Sequence, residues 1–306
     1  PQIALTTGHS DALECLLRRI GISDQEFTVD SGPGRVHMFV GCDGDSGLPA
    51  NQFSPALGGA KFAAATSLWA DPMKLMKYDM LVMSCEGSQC ESDKKPYINN
   101  IKMYADNGGR LFLDHLHFYW LRSGPDPWPD TADYVGPNQK DLPSPFTAKV
   151  DQTFPKGSQF AEWLVATQAS PEAGTIQILG GQFSVRSATP PATQKWIYTD
   201  QNPRDPSGTA VEYMTMNTPT PSELPDSGPD SVACGRVVFT DLHVVVANGA
   251  DGGTGLKDVS HSDTPFPNGC VSGPLTPQEK ALEFMFFDLS SCVEKDSETP
   301  KAPPLR

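Results

Sequence analysis

Short apolar runs and amphipathic stretches alternate along this chain, and their order predicts a layered fold. Apolar runs predict strands at residues 3–8, 35–40, 78–84, 110–120, 175–179, 196–199, 211–216 and 236–246. Amphipathic stretches predict helices at 12–20, from Pro96, at 160–166 and from Thr276. The unbroken apolar run at 78–84 is typical of a strand buried on both faces of a parallel sheet. We therefore predict an α/β protein with a doubly wound, mostly parallel, flavodoxin-like sheet.

Long polar segments interrupt this order. The chain has 306 residues, of which 27 are Gly and 29 are Pro, so it is rich in loops. We expect a single α/β domain over 1–293, with loop insertions at 218–232 and 247–274. The polar, Pro-rich stretch 294–306 predicts a flexible tail.

Charge and cysteine content limit the partners and the compartment. With 23 Lys+Arg against 37 Asp+Glu the formal net charge is −14, which disfavours a nucleic-acid partner. No apolar run is long enough to predict a membrane span. Up to three disulfides predict an extracytoplasmic protein, either secreted, periplasmic or an outer-surface lipoprotein, in a mature or trimmed form. A reduced cytosolic protein is the alternative; the cysteines are Cys15, Cys42, Cys85, Cys90, Cys234, Cys270 and Cys292.

Four polar residues fall at the predicted carboxyl ends of strands, where parallel α/β sheets bind ligands. His115 and His117 lie two positions apart, as do Asp241 and His243. Because residues i and i+2 of a strand share a face, these four side chains predict a site for zinc or another transition metal. The alternative is a set of polar strand ends that hydrogen-bond to loops.

Cys85 offers a second chemistry at the turn after the run 78–84. His243 or His115 would activate the thiol as a nucleophile, and Glu86 or Asp241 would orient the imidazole. The alternatives are a small-loop disulfide between Cys85 and Cys90, which would block the sulfur, and a buried thiol.

Calcium and carbohydrate are further candidate ligands. Segments 43–47 and 248–253 place acidic and amide oxygens at turn spacing, although neither matches an EF-hand loop. The alternative for both segments is ordinary turn formation by Gly and Asp. Trp128 lies in a Pro-rich stretch that predicts an exposed loop, and with Trp120 and Asp114 it predicts an aromatic and carboxylate surface for a sugar. Core packing is the alternative for both tryptophans.

Several segments resemble the class I glutamine amidotransferase-like fold, and within it the trehalose-utilisation (ThuA-like) group. They are "LMKYDMLVMSCEG", "YINNIKMYADNGGRLFLDHLH", "CGRVVFTDLHVV" and "TPQEKALEFMFFDL". The resemblance is closer still to secreted or lipoprotein-type proteins of myxobacteria and relatives. It implies a nucleophilic cysteine at Cys85, but Ser84 replaces the usual glycine and no His-x-Glu follows. Glutaminase activity is therefore not expected, and the ThuA-like group generally lacks the nucleophile.

These observations favour an extracytoplasmic accessory or ligand-binding protein for carbohydrate or another cell-envelope component. One alternative is a hydrolase, either metal-assisted through His115, His117 and His243 or thiol-based through Cys85. Another is a structural or assembly subunit.

Overall fold

The computed structural model describes residues 1–42, 52–136, 141–225, 232–244, 265–270, 272–291 and 293–299. The strands are β1 (Ile3–Thr7), β2 (Phe27–Thr28), β3 (Val36–Val40), β4 (Ala63–Ala64), β5 (Met80–Met83), β6 (Arg110–Asp114), β7 (Ala132–Tyr134), β8 (Phe146–Val150), β9 (Thr175–Ile178), β10 (Val185–Ala188), β11 (Thr193–Thr199), β12 (Ala210–Thr218) and β13 (Gly235–Thr240). The α-helices are α1 (Leu13–Arg19), α2 (Ala65–Trp69), α3 (Pro72–Leu75), α4 (Glu91–Lys94), α5 (Ile98–Asp106), α6 (Tyr119–Arg122), α7 (Pro155–Ala166) and α8 (Pro277–Ser290).

Eleven of these strands form one mixed, mostly parallel sheet in the described part of the chain. Its order is β2-β3-β1-β5-β6-β13-β12-β11-β8-β9, and β4 pairs with β3. Strands from β2 to β13 in this order run parallel, whereas β12, β11, β8 and β9 extend the sheet antiparallel. The prediction of a doubly wound α/β sheet is therefore confirmed.

The central strands are buried on both faces because successive side chains point to opposite sides. In β5, Met80 and Val82 pack into one core and Leu81 and Met83 into the other. Helices α1, α7 and α8 cover the first face, and α2, α3, α5 and α6 cover the second. A capping box at Thr276 and Glu279 starts α8, as its sequence pattern predicts.

Two predicted elements end earlier than expected. The run 110–120 is not one strand: β6 ends at Asp114, residues His115–Phe118 form a 3₁₀ turn, and α6 follows. His115 has φ +41°, outside the extended region, so the pairing with β13 stops there. The strand predicted at 236–246 ends at Thr240.

Two disulfides connect distant parts of the described chain. Cys15 is bonded to Cys270 and Cys42 to Cys90, whereas Cys85 and Cys234 are free thiols. The alternative of a Cys85–Cys90 bridge is therefore wrong. Cys292 lies outside the described residues.

The first part of the predicted flexible tail contacts the sheet. The Asp296 carboxylate accepts hydrogen bonds from Thr215 Oγ1 at 2.7 Å and from Arg236 Nη2 at 2.8 Å. In the described ranges, no helix has the length and apolarity needed to cross a bilayer.

Candidate functional site

The candidate site lies at one edge of the sheet, where four parallel strands end. Strands β1, β5, β6 and β13 are neighbours in the sheet, and their carboxyl ends share this edge. Chain order reverses between β1 and β5, which makes this point the crevice where such sheets bind ligands. Side chains at or after the ends of these strands converge here: Asp11, Cys85, Asp114, His115 and His243.

A thiol and two imidazoles form the centre of the site, called here the Cys–His cluster (Cys85, His115 and His243). Cys85 Sγ lies 3.4 Å from His115 Nδ1, and His243 Nε2 lies 3.2 Å from the same Nδ1. Cys85 is fully buried, and each histidine exposes less than a tenth of its surface. His115 Nε2 is buried and has no hydrogen-bond partner in the described structure.

Two carboxyl groups, the carboxyl pair Asp11 and Asp114, border this cluster. Their oxygens and a His243 ring nitrogen lie within 4.8 Å of one another. Asp114 Oδ2 accepts a hydrogen bond from the Cys85 backbone N–H at 3.0 Å, while its buried Oδ1 has no partner among the described residues. The two Asp11 oxygens accept from the Val244 N–H at 2.9 and 3.0 Å. The pair thus ties the ends of β1, β5, β6 and β13 together.

Burial controls the protonation of the site. Desolvation, and then the neighbouring Asp114, raise the pKa of the Cys85 thiol well above its usual value. Desolvation followed by the charge of Asp11 likewise raises the pKa of Asp114. Desolvation and then His243 lower the pKa of His115, so its ring is neutral. Because the site is buried, Cys85 is favoured as a thiol, Asp114 as a carboxylic acid and His115 as a neutral imidazole.

Backbone geometry at the site is unusual at two positions. His115 occupies the left-handed region, which non-glycine residues rarely adopt and which is often found at functional sites. At the end of β1, a side chain on Gly8 would meet the Cys85 carbonyl oxygen, with the ideal Cβ only 2.2 Å away. A glycine is therefore required for the close approach of the two turns.

His117 does not join the Cys–His cluster, contrary to the expected pairing with His115. Since the segment is a 3₁₀ turn, the i, i+2 rule for strands does not apply. The His117 ring donates from Nε2 to the Ser84 carbonyl at 3.0 Å and accepts at Nδ1 from Trp120 Nε1 at 3.1 Å. Both ring nitrogens are thus occupied, and the ring orients the turn that carries Cys85.

Asp241 also points away from the predicted metal site. Its carboxylate accepts from the Ser184 N–H at 2.7 Å and from Ser184 Oγ at 2.9 Å. Desolvation raises its pKa to about 7, opposed by these hydrogen bonds. The rule that residues i and i+2 of a strand share a face does not apply to Asp241 either, because β13 ends one residue earlier, at Thr240.

Glu86 is likewise not placed to orient an imidazole of the cluster. Its carboxylate pairs with Lys94 Nζ at 2.6 Å, and both side chains are fully buried. The nearest ring is that of His117, whose Nε2 lies 3.6 Å from Glu86 Oε2.

The predicted aromatic surface is absent from the described structure. Trp128 and Trp120 are fully buried, so the expectation that Trp128 lies in an exposed loop is wrong. Trp120 packs edge-on against Trp69 and supports His117. Asp114 belongs to the carboxyl pair. The proposed calcium segments 43–47 and 248–253 lie outside the described residues.

Two residues of the site were not identified from the sequence. Ser10 and Asp11 precede the first predicted helix and are of the residue types that cap helices, yet no side chain caps α1 and the Asp11 carboxylate reaches Val244. Gln278, in the first turn of α8, donates from Nε2 to the His243 carbonyl at 2.5 Å and to the Gly180 carbonyl at 2.8 Å. The first turn of α8 is polar as a whole, so the local sequence contained no signal for Gln278.

Comparisons with known proteins give a distant likeness. No family model and no curated protein matches the chain. Among solved structures, the chain is similar to the crystal structure of a protein described as ThuA-like from Bacteroides uniformis. The two are 12% identical, the alignment covers 94% of this chain and 89% of that chain, and the TM-score is 0.36. At this similarity no residue role is transferred, and closeness to myxobacterial proteins stays a prediction.

Proposed function

We propose that this chain is an extracytoplasmic, metal-dependent hydrolase whose Cys–His cluster holds a zinc-type ion. The geometry of three ligand atoms supports the proposal. Zinc binds sulfur at about 2.3 Å and imidazole nitrogen at about 2.0–2.1 Å, so tetrahedral ligand atoms lie roughly 3.3–3.6 Å apart. The spacings of 3.4 Å from Sγ to Nδ1 and 3.2 Å from Nε2 to Nδ1 are close to those edges.

The chemistry of the donors also fits such an ion. Neutral imidazole is the form that binds metal, and a coordinated thiol loses its proton. Among the described residues, no lysine or arginine forms an ion pair with Asp11 or Asp114. A divalent cation would therefore compensate the Cys85 thiolate and the Asp114 carboxylate, whose raised pKa values otherwise keep both groups protonated.

Hydrolysis is favoured over a purely structural metal because three ligands leave a tetrahedral position open. A bound ion of this class supplies a water of lowered pKa and polarises a carbonyl or phosphoryl oxygen. In the chain itself, Asp114 Oδ1 is the unpartnered oxygen beside the cluster and is placed to exchange a proton with a nucleophile. His115 Nε2 is a second buried polar atom of the site without a hydrogen-bond partner in the described structure.

Thiol catalysis by Cys85 has less support. A nucleophilic cysteine needs a lowered pKa and access to substrate. Cys85 is fully buried, its pKa is raised, and Glu86 is engaged by Lys94.

The two disulfides support an extracytoplasmic location, because such bonds persist in oxidising compartments. A ligand-binding accessory role, for carbohydrate or another envelope component, is the second candidate. Burial of the Cys–His cluster favours a role without turnover at these residues, since they leave little room for a substrate.

Metal analysis of native, tag-free protein tests the proposal, with a panel of ester, phosphoester and glycoside substrates assayed before and after chelation. We expect about one zinc-type ion per chain, lost in the His115→Ala/His243→Ala double variant and retained in a His37→Gln control remote from the site. Chelator-sensitive turnover supports the hydrolase. Metal without turnover on the panel selects the binding role. Wild-type protein that takes up no metal overturns the hydrolase proposal.

A further inference from the structure

A second group of potential metal ligands lies beside the candidate site and shares no residue with it. Cys42, Glu86 and Cys90 place two sulfurs and a carboxylate oxygen within 4.8 Å of one another. The sulfurs are joined as a disulfide, and the Cys42 backbone N–H donates to Glu86 Oε1 at 3.1 Å. The carboxylate is thus held against the bond by the chain of one of its cysteines.

Access and charge distinguish this group from a purely structural bridge. Both cysteines are partly exposed, so a reductant reaches either sulfur, whereas in the other disulfide Cys270 is partly exposed but Cys15 is 3% exposed. Beneath the bond, the Glu86–Lys94 pair is fully buried and neutral as a unit. Reduction followed by binding of a divalent ion adds two thiolate charges and two cation charges, so the group is electroneutral in both states.

The local backbone links the bond to this buried pair. Cys90 has φ +49° and immediately precedes α4, and its carbonyl oxygen accepts from the Lys94 N–H at 3.1 Å. Opening the bond therefore releases the residue that starts the turn carrying Lys94. Glu86, next in sequence to Cys85, stays in place as a carboxylate ligand.

We propose that Cys42, Cys90 and Glu86 form a second, reductant-dependent site for a thiophilic divalent ion such as zinc or cadmium. A dithiol reductant gives two electrons and two protons to the Cys42–Cys90 bond, leaving two thiols and its own disulfide. Binding of the ion then releases the two thiol protons and forms two sulfur–metal bonds and one oxygen–metal bond. The site reports the redox state of the compartment as a change in metal content.

The test counts bound cadmium in oxidised and in dithiothreitol-treated protein, with folding followed by circular dichroism. We expect reduction to add about one ion per chain. The Cys42→Ser/Cys90→Ser variant should gain none. A Cys15→Ser/Cys270→Ser variant, which keeps the exposed pair, should gain the same ion as the wild type.

A second measurement avoids dependence on the folding of these variants. In wild-type protein under limiting reductant, alkylation mapped by mass spectrometry identifies the open pair, and cadmium is counted in the same sample. The site is supported if the number of bound cadmium ions rises in proportion to the fraction of Cys42–Cys90 bonds that are open. No gain, or loss of the folded spectrum when this bond opens, overturns it.

This inference and the proposed function can fail independently, because each concerns a different bound ion. In Cys85→Ser the ion of the Cys–His cluster is lost, while the reductant-dependent ion remains. If oxidised wild-type protein holds no ion but reduction still adds one, the second site stands and the hydrolase proposal falls.

Discussion

The two ends of β13 carry buried polar clusters of opposite character. At its amino end, Arg236 Nε lies 2.6 Å from Asp288 and its Nη2 lies 2.8 Å from Asp296, and Lys156 lies 3.1 Å from Asp288. Two cations thus balance two carboxylates. At its carboxyl end, His243 meets the thiol, imidazole and carboxyl pair, and no described cation pairs with them.

Two aspartates show what this difference means. Desolvation alone would raise the pKa of Asp288, but Arg236 and Lys156 outweigh it and the pKa is lowered. Asp114 has no such partner, and desolvation with Asp11 raises its pKa well above the usual range. A buried cluster that satisfies its own charges holds the fold, whereas one that lacks a counter-charge is suited to binding a cation.

Removing a cation from the cluster at the amino end of β13 should give the largest loss of stability. Arg236→Met leaves two carboxylates buried without their principal partner, so we expect a loss of about 3–5 kcal/mol in the free energy of unfolding. Urea denaturation measures it. Arg35 is exposed, so Arg35→Met is the matched control, and an equal loss there would show that the network has no special role.

Binding of zinc to the Cys–His cluster at the carboxyl end of β13 should raise the stability of the protein. Zinc at a hundred times its dissociation constant adds about 2.7 kcal/mol through linkage. We expect this increment in thermal unfolding of wild type and of Arg236→Met, but not of Cys85→Ser. Equal stabilisation of Cys85→Ser would place the ion elsewhere.

The pH dependence of stability gives a further test at the carboxyl end of β13, through Glu212. It is fully buried beside the carboxyl end of β13, and desolvation and then Asp241 raise its pKa well above 4.5. The folded state therefore holds the proton more tightly, so this stabilising contribution is present below the unfolded pKa and is lost as pH rises through the folded value. Glu212→Gln should remove this loss and gain on the order of 1–2 kcal/mol relative to wild type at about pH 8.

Thermal unfolding from about pH 4.5 to about pH 8 measures the Glu212 effect. Glu223→Gln provides a control of opposite sign, because Lys102 and Thr220 overcome partial burial and lower the pKa of Glu223. Its carboxylate stabilises at higher pH, so that variant should lose stability there. Parallel pH profiles for Glu212→Gln and wild type would contradict the assignment.

The smallest expected effect is a difference in metal affinity between variants of two aspartates at the carboxyl end of β13. Asp114→Asn should weaken metal binding by about tenfold or more, because the group bordering the ligands loses its charge. Asp241→Asn keeps an oxygen for Ser184 and should leave metal affinity unchanged. Competition with a chromogenic chelator measures both, and a larger effect for Asp241 would restore it as a ligand.

The sheet was predictable because its central strands are encoded locally. Apolar runs such as 78–84 mark strands buried on both faces, and the rule for parallel sheets places Cys85, His115 and His243 at one edge. Side-chain direction at His117 was not predictable, since the left-handed His115 ends the strand in a way no periodicity encodes. The partner of Asp11 lies 233 residues away, so a local capping pattern was the stronger signal.

Convergence of Asp11, Cys85, Asp114 and His243 also bears on how the chain matures. No segment of the nascent polypeptide contains this constellation, and it cannot assemble before residue 243 has left the ribosome and β13 has joined β6. Until then the Cys85 sulfur is exposed to oxidants and alkylating agents, and afterwards it is sealed in the core. Protection of this one sulfur therefore reports that β13 has joined β6 in the folding chain.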